Sequence, residues 1–203
     1  AAALGVLVEE GKISWDDKVQ KYLPWFELYD PYVSANLTIR DLLCHRSGLE
    51  TFSGDLLWYG STHSREEVLK RAKHLKQAYG FRSHFGYQNI LFLAAGEIIP
   101  VVTGKSWEAF VSERILQPAG MNDAKLSITE IKNGDDVALP HNEKNGVNQT
   151  IDWVNWDNIA PAGSLLASAN DMGKWLMLQL AKGKVGNDTL WTDKTAWEMW
   201  KMH

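Results

Sequence analysis

Ahead of four of its apolar runs this chain sets a hydroxyl residue three positions before an acid: Ser14 with Asp17, Thr38 with Asp41, Ser64 with Glu67, and Ser168 with Asp171. This is the spacing of a capping box, in which the hydroxyl accepts from an exposed N–H of the first helical turn and the acid reaches back to the cap's own N–H. Each pair predicts a helix start. Ser14 opens a helix carrying Trp15, Val19, Tyr22 and Leu23, stopped by Pro24. Thr38, with Leu37 and Leu42 placed as a hydrophobic staple, opens Ile39 to about Cys44, which Ser47-Gly48 breaks. Ser64 opens a third helix, and Ser168 a fourth that carries Met172, Trp175, Leu176 and Leu180.

Three more helices follow from apolar spacing alone: Ala1 to Glu10 closed by Gly11, Ile90 to Val102 closed by Gly104, and Trp107 to Leu116 closed by Pro118 and Gly120. The first lacks Ser, Thr, Asp or Asn ahead of its alanines, as expected of the downstream part of a longer helix. Strand signals are sparse. Asp136 to Pro140 and Asn148 to Val154 flank Glu143-Lys144-Asn145-Gly146, which predicts one hairpin with an Asn-Gly turn. No repeat or low-complexity linker divides the chain, so residues 1–203 are expected to form a single, mostly helical domain.

The 203 residues carry a net charge of −4 and no run of Lys or Arg, which gives no basic surface for phosphates and argues against nucleic acid as a partner. No apolar stretch approaches the roughly 20 residues that span a bilayer. Cys44 is the single cysteine and is read as a small buried helix residue, without a disulfide to mark a compartment. The six histidines show no His-x-x-x-His spacing and no Cys-x-x-Cys occurs, so neither a metal nor another cofactor is expected. Ten tryptophans, among them Trp153, Trp156, Trp191, Trp197 and Trp200, are read as core and interface filling rather than chemistry.

Tyr87-Gln88-Asn89 stands at the start of the Ile90 helix, and Tyr87 and Asn89 are the candidate catalytic residues. A tyrosine beside an amide can transfer protons, but proton transfer needs a nucleophile to activate. The chain contains neither Ser-x-x-Lys nor Gly-x-Ser-x-Gly; Ser14 to Lys18 is one residue too long. The plainer alternatives are a partly buried aromatic for Tyr87 and a helix N-cap for Asn89.

Taken in order, Leu42-Leu43-Cys44-His45-Arg46-Ser47-Gly48-Leu49, Tyr87-Gln88-Asn89, Gly120-Met121, and Ala162-Gly163-Ser164 running on to Ser168 and Asp171 make the chain resemble the serine β-lactamase-like family. The likeness is to the branch holding class C β-lactamases, D-Ala-D-Ala carboxypeptidases and short-chain esterases. It implies a mainly α structure, the helical domain of that family's α+β fold with a small hairpin and most of the sheet missing. In the family the nucleophile is the serine of a Ser-x-x-Lys followed by an apolar run similar to Ala1 to Leu7. The resemblance therefore places that pair upstream of Ala1, and a third motif, His-x-Gly or Lys-Thr-Gly, downstream of the Asp171 helix.

The resemblance further implies a parent serine hydrolase that forms an acyl-enzyme with a small molecule: a β-lactam, a D-amino-acid peptide or a short-chain ester. Tyr87 would exchange protons with nucleophile and leaving group, and Asn89 would hold the Lys and the substrate carbonyl. His45 and Ser47 are read as scaffolding for a loop near the cleft, His141 as a loop residue, and Trp58-Tyr59 as a cleft border favouring an apolar acyl group. A periplasmic or secreted location is favoured. This chain alone is expected to be inactive. The rival reading is a non-catalytic helical module that binds a partner, or self-associates, through the surface where the sheet would pack.

Overall fold

A computed structural model describes residues 1–203. Nine α-helices follow in chain order: α1 Ala2–Glu9, α2 Pro31–Asn36, α3 Ile39–Leu43, α4 Arg65–Arg71, α5 Asn89–Thr103, α6 Trp107–Val111, α7 Ala160–Gly163, α8 Ala169–Leu180 and α9 Asp193–Trp200. Two small antiparallel sheets interrupt them, β1 His141–Lys144 with β2 Val147–Thr150, and β3 Lys184–Val185 with β4 Asp188–Thr189. No single helix is long and apolar enough to cross a membrane.

Helix α5 is the axis of the packing, with Ile90, Leu91, Leu93, Ala94, Ala95, Gly96, Ile98 and Ile99 all buried and α3, α4, α6 and α7 packed around it. Its Gly96 permits the approach of α7: a Cβ there would lie 2.3 Å from the Pro161 ring. The helix ends at Gly104, whose φ of +72° is the left-handed conformation that favours glycine at a helix C-terminus. One cluster of 37 buried hydrophobic residues runs from Leu4 in α1 to Ala196 in α9. The two terminal helices meet directly, and Glu9 accepts hydrogen bonds from the Thr192 and Thr195 hydroxyls.

Three of the four capping signals open α-helices. Thr38 with Asp41 and Ser64 with Glu67 form complete boxes. Ser168 accepts from the Asp171 N–H, but Asp171, fully buried, turns its carboxylate to the Asp123 N–H at 2.9 Å and to Lys174 at 2.9 Å. Lys174 also bonds the Gly120 carbonyl, so the Gly120-Met121 turn is strapped to α8. The exception is Ser14. Asp17 accepts from the Ser14 N–H at 2.8 Å, yet only a single 3-10 turn, Val19–Lys21, follows. Lys18 is extended and bridges Thr38, while the N–H groups of Val19, Ile39 and Arg40 bond Leu37, Asp17 and Trp15. Pairing with the α2–α3 junction thus takes the backbone groups that a helix would have used.

The predicted hairpin is present, but its strands lie closer to the turn than the expected spans. Asn145 and Gly146 both have positive φ, 55° and 77°, the pattern of a two-residue type I′ turn. Such a turn pairs the residues beside it, Lys144 with Val147, and leaves Asp136 to Pro140 irregular. The β3–β4 hairpin was not foreseen, nor was a further capping box, Ser127 with Glu130, over the 3-10 turn Ile128–Glu130. After α6 the expected helix continues to Leu116 as one wider π turn, Ser112–Leu116.

Candidate functional site

Asp41 anchors the site from beneath. It accepts from the Thr38 N–H at 3.0 Å and hydroxyl at 2.7 Å, from Arg46 Nε at 2.7 Å, and from Arg82 Nε and Nη2 at 3.0 and 2.7 Å. Burial pushes its carboxyl up, but the hydrogen bonds from Arg82, Thr38 and Arg46 outweigh that and hold it at about 2. Arg46 belongs to the turn after α3 and Arg82 to the loop before Tyr87. One buried carboxylate therefore draws the His45–Leu49 segment and the Tyr87 segment together.

Two glycines let the backbones touch. A Cβ on Gly86 would stand 2.1 Å from the Leu49 carbonyl, and one on Gly48 only 2.4 Å from the Tyr79 carbonyl. The Gly86 N–H donates to the His45 carbonyl at 2.8 Å, and the Phe52 N–H donates to the Tyr87 carbonyl at 2.8 Å. The His45 ring then lies between aromatic rings, stacked on Tyr87 at 4.5 Å and on Phe92 at 5.1 Å. Its Nδ1 accepts the Gln88 N–H at 3.0 Å, which puts the proton of the neutral ring on Nε2. Burial lowers the His45 pKa and favours that neutral form. His45 is thus the shelf on which Tyr87 rests, and Tyr87 keeps 39% of its surface exposed.

Asn89 is the first residue of α5 and does not cap it. Gln88, extended and fully buried, holds the N-cap position, and its side chain donates to the Glu50 carbonyl instead. The Asn89 amide Nδ2 donates to Asp55 at 3.0 and 3.2 Å. Asp55 also accepts from the Trp58 indole at 3.0 Å. It sits in a 3-10 turn, Asp55–Leu57, introduced by Gly54 at φ +87°, where a Cβ would lie 2.5 Å from Ile90. Sequence reasoning passed over Asp55; its one signal is the Asp-x-x-Trp spacing that lets a carboxylate meet an indole one turn on.

Trp58 is buried and ties Tyr87-Gln88-Asn89 to a second region. Its ring meets Tyr59 edge-on at 5.9 Å and Trp156 at 5.8 Å, and its carbonyl accepts from the Asn158 amide at 3.0 Å. Tyr59, Trp153, Trp156 and Ser164 border a cleft of about 310 Å³. Ser164 donates to the Leu126 carbonyl at 2.6 Å, which makes it a strut between the two loops. Serine hydroxyls that donate anywhere in the chain do so to carbonyls, carboxylates or another hydroxyl, and none reaches a lysine or histidine nitrogen. Burial raises the Cys44 thiol pKa, the opposite of what a nucleophile needs.

The chain is similar to known proteins in sequence and in fold. A family model described as Beta-lactamase matches residues 1–202. The unguisins hydrolase of Aspergillus campestris is 25% identical over 212 residues, covering 96% of this chain and 39% of its own length. Among solved structures, the octameric penicillin-binding protein homologue from Pyrococcus abyssi superposes with a TM-score of 0.79 at 25% identity, over 96% of this chain and 44% of that one. A D-stereospecific amidohydrolase from Streptomyces sp. superposes at 0.80 with 22% identity, over 98% of this chain and 61% of that one. The chain thus spans less than half the length of curated relatives it matches, this one among them.

Proposed function

The chain belongs to the beta-lactamase family, and on that premise we propose that it is the helical, Tyr-x-Asn-bearing portion of a serine hydrolase that works through an acyl-enzyme. The 203 residues fold as one domain of mainly α structure, and the nucleophilic serine and its lysine come from chain outside them. The observation that carries this reading is the supported pair: Tyr87 on its His45 shelf and Asn89 held by Asp55, at one end of α5, with no activated nucleophile beside them.

In this mechanism Tyr87 takes the proton of the attacking serine and returns it to the leaving group. A phenol acts as a base near neutrality only beside positive charge, which the lysine provides. Asn89 keeps one Nδ2 hydrogen and its Oδ1 beyond the Asp55 bond, a donor for a substrate carbonyl and an acceptor for the lysine ammonium. The substrate is a small acyl compound: a β-lactam, a D-amino-acid peptide or amide, or a short ester. In the longer natural protein, a fluorophosphonate should add once to a serine outside these residues. Tyr87→Phe should then lower acylation by about 10² or more, within the range of acid–base contributions. A Tyr87→Phe protein that acylates at the parent rate would refute the assignment.

A second reading, self-association, has its own observation. The outer side of α8 exposes Leu176 at 58% and Leu180 at 75%, with Trp197 and Trp200 of α9 exposed as well. Apolar surface gathered this way marks an interface, and the similar Pyrococcus abyssi protein is octameric. Sedimentation of the chain across concentration tests it: association rising with concentration supports the reading, and a monomer throughout rejects it.

A further inference from the structure

The cleft beside Trp58 has a chemical character that the family does not assign to this chain. Three aromatic side chains wall it, Tyr59, Trp153 and Trp156, with Ile151 and Leu166 among the apolar residues that line it. Its charged lining residues are Asp152 and Asp157, and no Lys, Arg or His lines it. Asp157 is only partly satisfied. Its Oδ2 accepts from the Ser127 hydroxyl at 2.8 Å and the Asn155 amide at 3.3 Å, while Oδ1 is enclosed without a hydrogen-bond partner. Arg65 stands behind, donating to the Asp157 carbonyl at 2.8 Å, but its charge is met by Glu97 at 3.6 Å and by Glu108.

Resting on the serine-hydrolase reading, we propose that this cleft is the specificity subsite for an apolar or aromatic group bearing a protonated amine. The volume of about 310 Å³ suits a group of phenylalkyl size. Indole and phenol faces attract a cation through their π-electrons. The two carboxylates add Coulombic attraction. A carboxylate-bearing ligand would meet two like charges and no counter-cation. The cleft connects to the proton-transfer end by contact: Trp156 on Trp58, Trp58 to Asp55, Asp55 to Asn89. On the serine-hydrolase reading, the favoured substrate class is an amide or ester whose acyl group carries a free amine.

The test is binding to the chain itself, read from the tryptophan indole N–H resonances, with Trp153→Phe and Trp156→Phe identifying the two cleft signals. Phenethylamine, 2-phenylethanol and phenylacetate differ mainly in charge. Phenethylamine should move both cleft signals and bind about tenfold or more tighter than phenylacetate, the effect of one favourable ionic contact. Asp152→Asn with Asp157→Asn should erase that difference and leave 2-phenylethanol binding unchanged, which also shows that the double variant is folded. Phenylacetate binding equal to or tighter than the amine, or cleft signals unmoved by saturating amine, would overturn the proposal. Fluorophosphonate labelling of the longer protein separates the two inferences. Labelling without amine preference sinks the subsite alone, and amine preference without labelling sinks the hydrolase reading alone.

Discussion

Asp41→Asn is the substitution whose cost the structure sets most clearly. The ordinary carboxyl value is 3.8 and the folded value is about 2; at about 1.4 kcal/mol per pH unit, ionised Asp41 contributes roughly 2 kcal/mol to stability. The amide also turns an N–H toward two guanidinium groups in a fully buried position. Breaking a buried pair by removing one partner costs about 3–5 kcal/mol, and because Arg46 and Arg82 keep some solvent contact the lower figure, about 3 kcal/mol, applies here. For a chain of this size that is a fall of roughly 6–12 °C in Tm. The pH dependence has a definite sign. The folded pKa lies below the unfolded one, so the unfolded chain binds the extra proton, and the contribution is complete above about pH 5 and lost as pH falls toward 2. Thermal unfolding followed by circular dichroism at pH 7 and through the acid range measures both effects. The Asn variant should lose less stability than the parent between those limits, by about 2 kcal/mol. A variant within about 0.5 kcal/mol of the parent at pH 7, with the same acid limb, would refute the claim that Asp41 clamps these segments.

Other consequences are as direct. Gly86→Ala places a methyl group against the Leu49 carbonyl and should destabilise the chain by more than about 2 kcal/mol in urea unfolding, displacing Tyr87 as it does. Asp55→Ala frees the Asn89 amide; in the longer protein it should lower kcat/KM by about 10- to 100-fold with Tm changed little, since Asp55 is only partly buried. Leu176→Glu with Leu180→Glu should abolish concentration-dependent association in sedimentation and leave the circular dichroism spectrum unchanged, because both side chains point to solvent.

Helix starts were legible because their chemistry is local. Thr38, Ser64 and Ser168 each needed only a neighbour three residues on, and each caps a helix. Ser14 has the same neighbour, and its failure lies outside the local pattern, in the long-range pairing of Lys18 with Thr38. The Asn-Gly turn was readable for the local reason too, whereas the extent of its strands depended on the turn's own register. At the site, Tyr87 and Asn89 stood out by spacing. Asp55 and Gln88 did not, because what marks them is contact across 34 and 38 residues of chain, with Asn89 and with Glu50. The Asp41 clamp shows the same limit: its capping role was visible in Thr38-x-x-Asp41, but nothing near it in sequence announces Arg82.

The central claim is that these 203 residues carry the proton-transfer half of an acyl-transfer site and no nucleophile of their own. Intact mass of the chain after incubation with a fluorophosphonate, and separately with a β-lactam, tests it most directly. The account predicts an unchanged mass with both reagents. A single stoichiometric adduct would mean that one of these residues is an activated nucleophile, and the residue that carries it would contradict the reading of the site.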